Sequence, residues 1–181
     1  MKLFIVFDVE SIGLHGDAFA VGCVVIDESG TVFDEILIVS DQSKCAGTPD
    51  NHDWCKKNIP YLDDFKPVVR VSSQREMRDF FWATWKIWEK DGALLIADCS
   101  WPVEARFLAK CVDDYPESRE WEGPYPLHDL ASILLAHGLD PLKKNERLPD
   151  ELPEHNPLCD ARQSARILIE TLKNARKEEQ C

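Results

Sequence analysis

In the stretch FIVFDVES, Asp8 and Glu10 stand two residues apart. On an extended chain alternate side chains share a face, so the two carboxylates point the same way, roughly 6.6 Å apart along the strand. Such a pair can hold a hard cation between its oxygens; Mg²⁺ takes one or two carboxylates and keeps water or substrate phosphate in the rest of its shell. The same pair could equally end a strand with solvated charge. Near the other end of the chain, HNPLCDARQSARIL sets His155 five residues ahead of Asp160. Five helical steps of ~100° would place them on different faces. Asn156 and Pro157, however, have the character of an N-cap and a first helical residue. Asp160 then falls in the first helical turn, while His155 stays on the preceding loop, free to swing towards the same space. An aspartate there also suits the helix dipole, so decoration of a helix start remains the structural alternative.

Positioning these groups takes a sheet and a helix. Residues 3–7 form an unbroken apolar run, which suits a central strand covered on both faces. AFAVGCVVID and TVFDEILIVSD follow, separated by Glu28, Ser29 and Gly30, and read as two further strands in a hairpin. Residues 48–71 are punctuated by Pro49, Pro60 and Pro67, with a short helix around NHDWCKKN. Ser73 and Glu76 have capping-box spacing, and Met77, Phe80, Phe81, Trp85 and Trp88 recur on one helical face that ends near Asp91-Gly92. ALLIAD is another buried strand, Pro102 starts a helix containing VEARFLAKCV, and LHDLASILLAHG turns from an extended entry into a helix stopped by Gly138. Residues 143–154 read as a loop delivering His155, and Ala161, Ala165, Leu168 and Leu172 line one face of the last helix. The expected class is α/β, a mixed five-stranded sheet with three antiparallel strands, then parallel β-α units, flanked by helices.

The length of 181 residues suits one domain, 1–181, with the last few residues frayed. A hydrophobic fraction of 44% with six tryptophans argues against disorder. The net charge of -12 sets a repulsive average field against nucleic acid, so a polyanion would bind locally, where metal ions neutralise carboxylates. Seven cysteines without a CxxC pair fit no simple disulfide framework, which points to a reducing cytoplasm. The apolar start MKLFIVF meets Asp8 at once and is too short for a signal peptide or a membrane span. Cys45, His52 and Cys55 match no closed zinc set. The spacing of Trp82, Trp85 and Trp88 favours core packing over base stacking, whereas Trp101, beside Asp98 and before Pro102, is the aromatic best placed to line a site. His128 and Asp129 would either border that pocket or form a buried hydrogen-bonded pair.

Taken together, Asp8-Val9-Glu10, the segment LLIADCSWPVEARFL, and His155 with Asp160 resemble the DEDDh 3'-to-5' exonucleases of the ribonuclease H-like superfamily. The first family motif, Asp-x-Glu on the first strand, is followed here by Ser11-Ile12-Gly13-Leu14; the last, His-x-x-x-x-Asp, is matched by His155 and Asp160, with Asn after the histidine and Ala after the aspartate. The second motif departs from the pattern. Anchoring on RFL at 106–108 puts Glu104 where the family has aspartate, with one extra residue between strand and helix, and Asp98 at the strand end is the alternative. The resemblance implies a ribonuclease H-like fold and two-metal hydrolysis of terminal phosphodiesters with two Mg²⁺, for which Mn²⁺ would substitute. Asp8 would touch both ions, Glu10 and Asp160 one, and Glu104 or Asp98 the second. His155 would be the general base, and Ser11 and Leu14 would contact the terminal nucleotide. The implied partners are single-stranded RNA or DNA 3' ends or short oligonucleotides, with no membrane; a homodimer stays open. The rival reading, carried by the irregular second motif, is a catalytically inactive ribonuclease H-like module that binds a protein or a nucleic-acid end.

Overall fold

A computed structural model of the chain describes residues 2–60 and 62–178. Strands β1 (Leu3–Ser11), β2 (Ala18–Asp27) and β3 (Val32–Val39) form an antiparallel meander, followed by helix α1 (Pro49–Asn58) and the short strand β4 (Val68–Arg70). Helix α2 (Gln74–Glu89), strand β5 (Leu94–Ala97) and helix α3 (Ala105–Asp113) come next. The one-turn helix α4 (Pro116–Arg119), strand β6 (His128–Asp129), and helices α5 (Leu130–Ala136) and α6 (Pro157–Glu178) complete the order. Fraying was expected of the last residues; 179–181 lie outside the described part.

The sheet has six strands in the order β4-β3-β2-β1-β5-β6, not five. The added strand is β4, which pairs parallel to β3 through Leu37↔Val68 and its two neighbours. It is three residues long and follows Pro67, so no local alternation marks it. On the other flank, β5 runs parallel to β1 and β6 parallel to β5. Among the described residues no helix is long and apolar enough to cross a membrane.

Strand β1 sits inside the sheet because both of its faces are apolar. Leu3, Ile5, Phe7 and Val9 pack into a cluster with Met77, Phe81 and Trp85 of α2 and Phe107 of α3. Phe4 and Val6 pack on the opposite face with Leu158, Ala161, Ala165 and Leu168 of α6. Each fully buried side chain of this size is worth about 1.5–3 kcal/mol. The period of two therefore carries Asp8 and Glu10 onto the α6 face. Trp82 and Trp85 are buried and Trp88 packs against the same cluster, as their spacing predicts.

Both helix starts anticipated from side-chain chemistry form. Ser73 accepts from the Glu76 N–H, although the Glu76 carboxylate returns to the N–H and hydroxyl of Ser72 rather than to Ser73. Asn156 Oδ1 accepts from the N–H groups of Leu158 (3.0 Å) and Cys159 (3.3 Å). The entry to α3 differs from expectation. Trp101 is extended at φ -117° and ψ 136°, and residues Ser100–Glu104 make a wide turn closed by the Ala105 N–H on the Ser100 carbonyl. Regular helix begins at Ala105, and Glu104, already at helical φ and ψ, is the residue before it.

Candidate functional site

The carboxylates meet where β1 and β5 end beneath the first turn of α6. Pairing of Phe7 with Ala97 in the parallel ladder sets Asp8 and Asp98 side by side at the next step. Across the antiparallel ladder Asp8 is paired with Gly22. A Cβ on Gly22 would lie 2.3 Å from the Leu158 nitrogen and from the Pro157 carbonyl carbon, a clash with backbone that could not be relieved by a side-chain movement. The missing side chain is what lets the start of α6 settle on the sheet beside Asp8.

Asp160 comes down from that first turn. Glu10, His155 and Asp160 each present a ligand atom, all within 4.8 Å of one another. His155 Nδ1 is 3.6 Å from Glu10 Oε1. Glu104 is buried at 6% exposure, and its carboxylate is close enough to Asp8 and Glu10 to raise both. Asp98 turns to α6, where it accepts from Ser164 Oγ at 2.8 Å; among the described residues its side chain makes no hydrogen bond to the wide turn or to a backbone amide.

Crowding of like charge shapes the titration of this group. Burial raises the Asp8 carboxyl well above its usual range, and Asp160, Glu104, Glu10 and Asp98 each push it further. Glu10 is pushed up to about 8, by burial first and then by Asp160 and Glu104. Burial carries Glu104 to about 7, assisted by Asp98 and opposed by its backbone hydrogen bonds. Asp160 is also raised by burial, despite the nearby guanidinium of Arg147. A buried set of oxygen donors that repel one another is the donor chemistry that a hard divalent cation relieves. Glu10, His155 and Asp160 are close enough to share such an ion, and Asp8, Glu104 and Asp98 lie within electrostatic reach of them.

His155 already lies beside Glu10 and Asp160. Its φ is 61°, in the left-handed region that non-glycine residues rarely adopt. Its ring lies edge-on to Trp54 of α1, with centroids 5.1 Å apart. Trp54 escaped the sequence reading; its signal was an aromatic in an otherwise polar helix, PDNHDWCKKN. Arg147 also escaped. Its Nη1 donates to Asp160 Oδ1 (2.6 Å) and to the Glu151 carbonyl (2.8 Å). Three side chains of α6 hold the same loop: Arg162 donates to the Asp150 carbonyl, Gln163 to that of Asn145, and Arg166 to that of Glu146. Arg166 also forms a two-pronged pair with Glu151, a carboxylate only 2% exposed.

The remaining candidates spread around this centre. Leu14 is exposed on the turn after β1, and Trp101 is exposed on the wide turn. Ser11 lies off the α6 face and its hydroxyl donates to the Gly13 carbonyl at 2.8 Å. Asp129 caps α5 through the Ser132 N–H and accepts from Ser100 Oγ, which ties the wide turn to β6. Cys45 and Cys55 are buried thiols; Cys45 accepts from Gln74 and Cys55 donates to the Ser11 carbonyl. No protein-family model matches the chain, and no curated protein gives a significant match.

Proposed function

We propose that the protein is a metal-dependent 3'-5' exonuclease of DEDDh type on a ribonuclease H-like fold, releasing nucleoside monophosphates from single-stranded ends or short oligonucleotides of RNA or DNA. The observation that carries this reading is the convergence of Asp8, Glu10, Glu104 and Asp160, from three separated parts of the chain, with His155 at their rim. The strand arrangement, an antiparallel meander continued by parallel strands, agrees with it. So does Glu104, which reaches the cluster although its motif is irregular, and this weighs against the inactive binding module.

Two Mg²⁺ held there would activate the attacking water and stabilise the leaving 3'-oxygen. Asp8, central among the carboxylates, would be the ligand common to both; Glu10 and Asp160 would complete one position and Glu104 the other. His155 would take the proton from the attacking water, the general-base task for which imidazole is the usual side chain. Glu10 lies beside the ring, its Oε1 3.6 Å from Nδ1. Trp54 restricts the ring from the side, so that proton transfer needs little rearrangement.

The test is incubation of the purified protein with 5'-labelled RNA and DNA oligomers in Mg²⁺, Mn²⁺ or EDTA. A descending ladder that disappears in EDTA and in Asp8→Asn is the expected result. Absence of cleavage with either metal would favour the binding module, and wild-type turnover in Asp8→Asn would end the metal reading.

A further inference from the structure

Beyond Glu10 the chain passes into a shallow cleft between the turn after β1 and helices α2 and α3. Ser11, Asp17, Arg78, Arg106, Phe107 and Lys110 line it. Arg106 and Lys110 are four residues apart on α3, hence on one helical face and about 6 Å apart along the axis. Both are exposed. Arg106 has no hydrogen-bond or ion-pair partner among the described residues. Lys110 approaches only Asp113, at 3.5 Å with both groups in solvent, a contact of little energetic weight.

The other two charged side chains of the cleft are held in place, one of them by a charge partner. Arg78 is held by both oxygens of Asp114, at 2.5 and 2.9 Å. Asp17 accepts from the Ala46 N–H at 2.8 Å. A backbone N–H leaves the Asp17 carboxylate charged, so the cleft sets two exposed cations against one partly exposed carboxylate, a local excess of positive charge in a chain whose net charge is -12. Such a local reversal of sign attracts a polyanion to one place and leaves the rest of the surface repulsive. Ser11 lines this cleft and directly follows Glu10 on β1, so a strand leaving the carboxylates on the α6 side would meet the cations by passing around the end of β1 to the α2 and α3 side of the sheet.

We propose that this cleft is a phosphate subsite for the strand upstream of the nucleotide being removed, with Arg106 and Lys110 each meeting non-bridging oxygens of a backbone phosphate. The direction of the strand rests on the exonuclease reading; the cation pair does not. A dinucleotide would engage the carboxylates without filling the cleft, whereas a longer single strand would fill both.

Fluorescence anisotropy in Ca²⁺ with a 5'-labelled dinucleotide and a 5'-labelled heptanucleotide tests the subsite without requiring turnover. The heptanucleotide should bind the wild type about tenfold more tightly, with a salt dependence steeper by roughly 1.4 in log-log slope, as two phosphate contacts on a single strand require. A doubly substituted protein, Arg106→Ala with Lys110→Ala, should lose that advantage and that slope; Arg106→Lys with Lys110→Arg should keep both. Thermal melting checks that these exposed changes leave the fold intact. Equal affinity of the wild type for the two lengths would overturn the proposal, as would an unchanged length and salt dependence in the alanine pair. Wild-type protein that shows the expected binding but degrades nothing in Mg²⁺ or Mn²⁺ would remove the exonuclease reading and leave the subsite standing.

Discussion

A carboxylate one methylene longer than aspartate enters the cluster from a turn wider than an ordinary helix start. The two features compensate: the wide turn at Ser100–Glu104 changes where the helix begins, and the extra reach of Glu104 brings its carboxylate within electrostatic reach of Asp8 and Glu10. Glu104→Gln should therefore cut the cleavage rate by orders of magnitude, because an amide cannot supply the charge a metal position needs. Asp98→Asn, whose partner is Ser164, should cost mainly stability, read as a lower melting temperature with cleavage retained. A metal-bound crystal structure with Asp98 on the second ion and Glu104 turned away would reverse the assignment. For His155→Ala, metal binding should persist and the rate defect should shrink as pH rises, since hydroxide from solvent then needs no base. A pH-rate profile parallel to that of the wild type would show that the imidazole takes no part in proton transfer.

At the scale of elements, the site depends on how closely α6 approaches β2. Gly22→Ala would place a methyl group into the backbone of Pro157 and Leu158, so the helix start must lift and carry Asp160 away from Asp8. The expected outcome is a protein that still folds, with destabilisation of roughly 1–3 kcal/mol and a larger proportional loss in Mn²⁺ affinity, measured by calorimetry. Full affinity in a folded variant would show that the helix tolerates the shift. This dependence explains what could and could not be read in advance. Asp8 and Glu10 were legible through strand periodicity, and Asn156-Pro157 fixed the start of α6, because those signals are local. Gly22, Trp54 and Arg147 matter only through neighbours brought in by folding: the backbone of α6, the ring of His155 and the carboxylate of Asp160. Strand β4 was missed for the same reason, its three residues being ordered by the edge of β3.

For the whole molecule, the cluster sets a conflict between folding and ionisation. Glu10 and Glu104 are raised to about 8 and about 7, well above the ~4.3 of an unfolded glutamate. Between the unfolded and folded values the native state binds more protons, so their contribution is complete below the unfolded pKa and is lost as pH rises through the folded values. Metal-free protein should therefore lose stability from this cluster between about pH 4.5 and pH 8, and Mg²⁺ should restore it at the alkaline end by binding the charged form. Thermal melts across this range in EDTA and in Mg²⁺ give the measurement, and Glu10→Gln should flatten the EDTA curve. Identical pH dependence in the variant would mean that Glu10 does not titrate in this window.

The straps between α6 and its preceding loop bear on motion as well as on geometry. Asp160 and the anchors Arg162, Gln163 and Arg166 lie on one helix, while Arg147 and Glu151 hold the loop that leads to His155. At the far end, Lys173 donates to the Ser29 carbonyl and Arg176 pairs with Glu28, clasping the same helix to the hairpin between β2 and β3. His155 and Asp160 should thus open together as one cooperative unit. Amide exchange in residues 145–151 and in the first turns of α6 should share a single opening free energy, and the protein should exchange between armed and disarmed forms without passing through a state that keeps Asp160 in place while His155 has left.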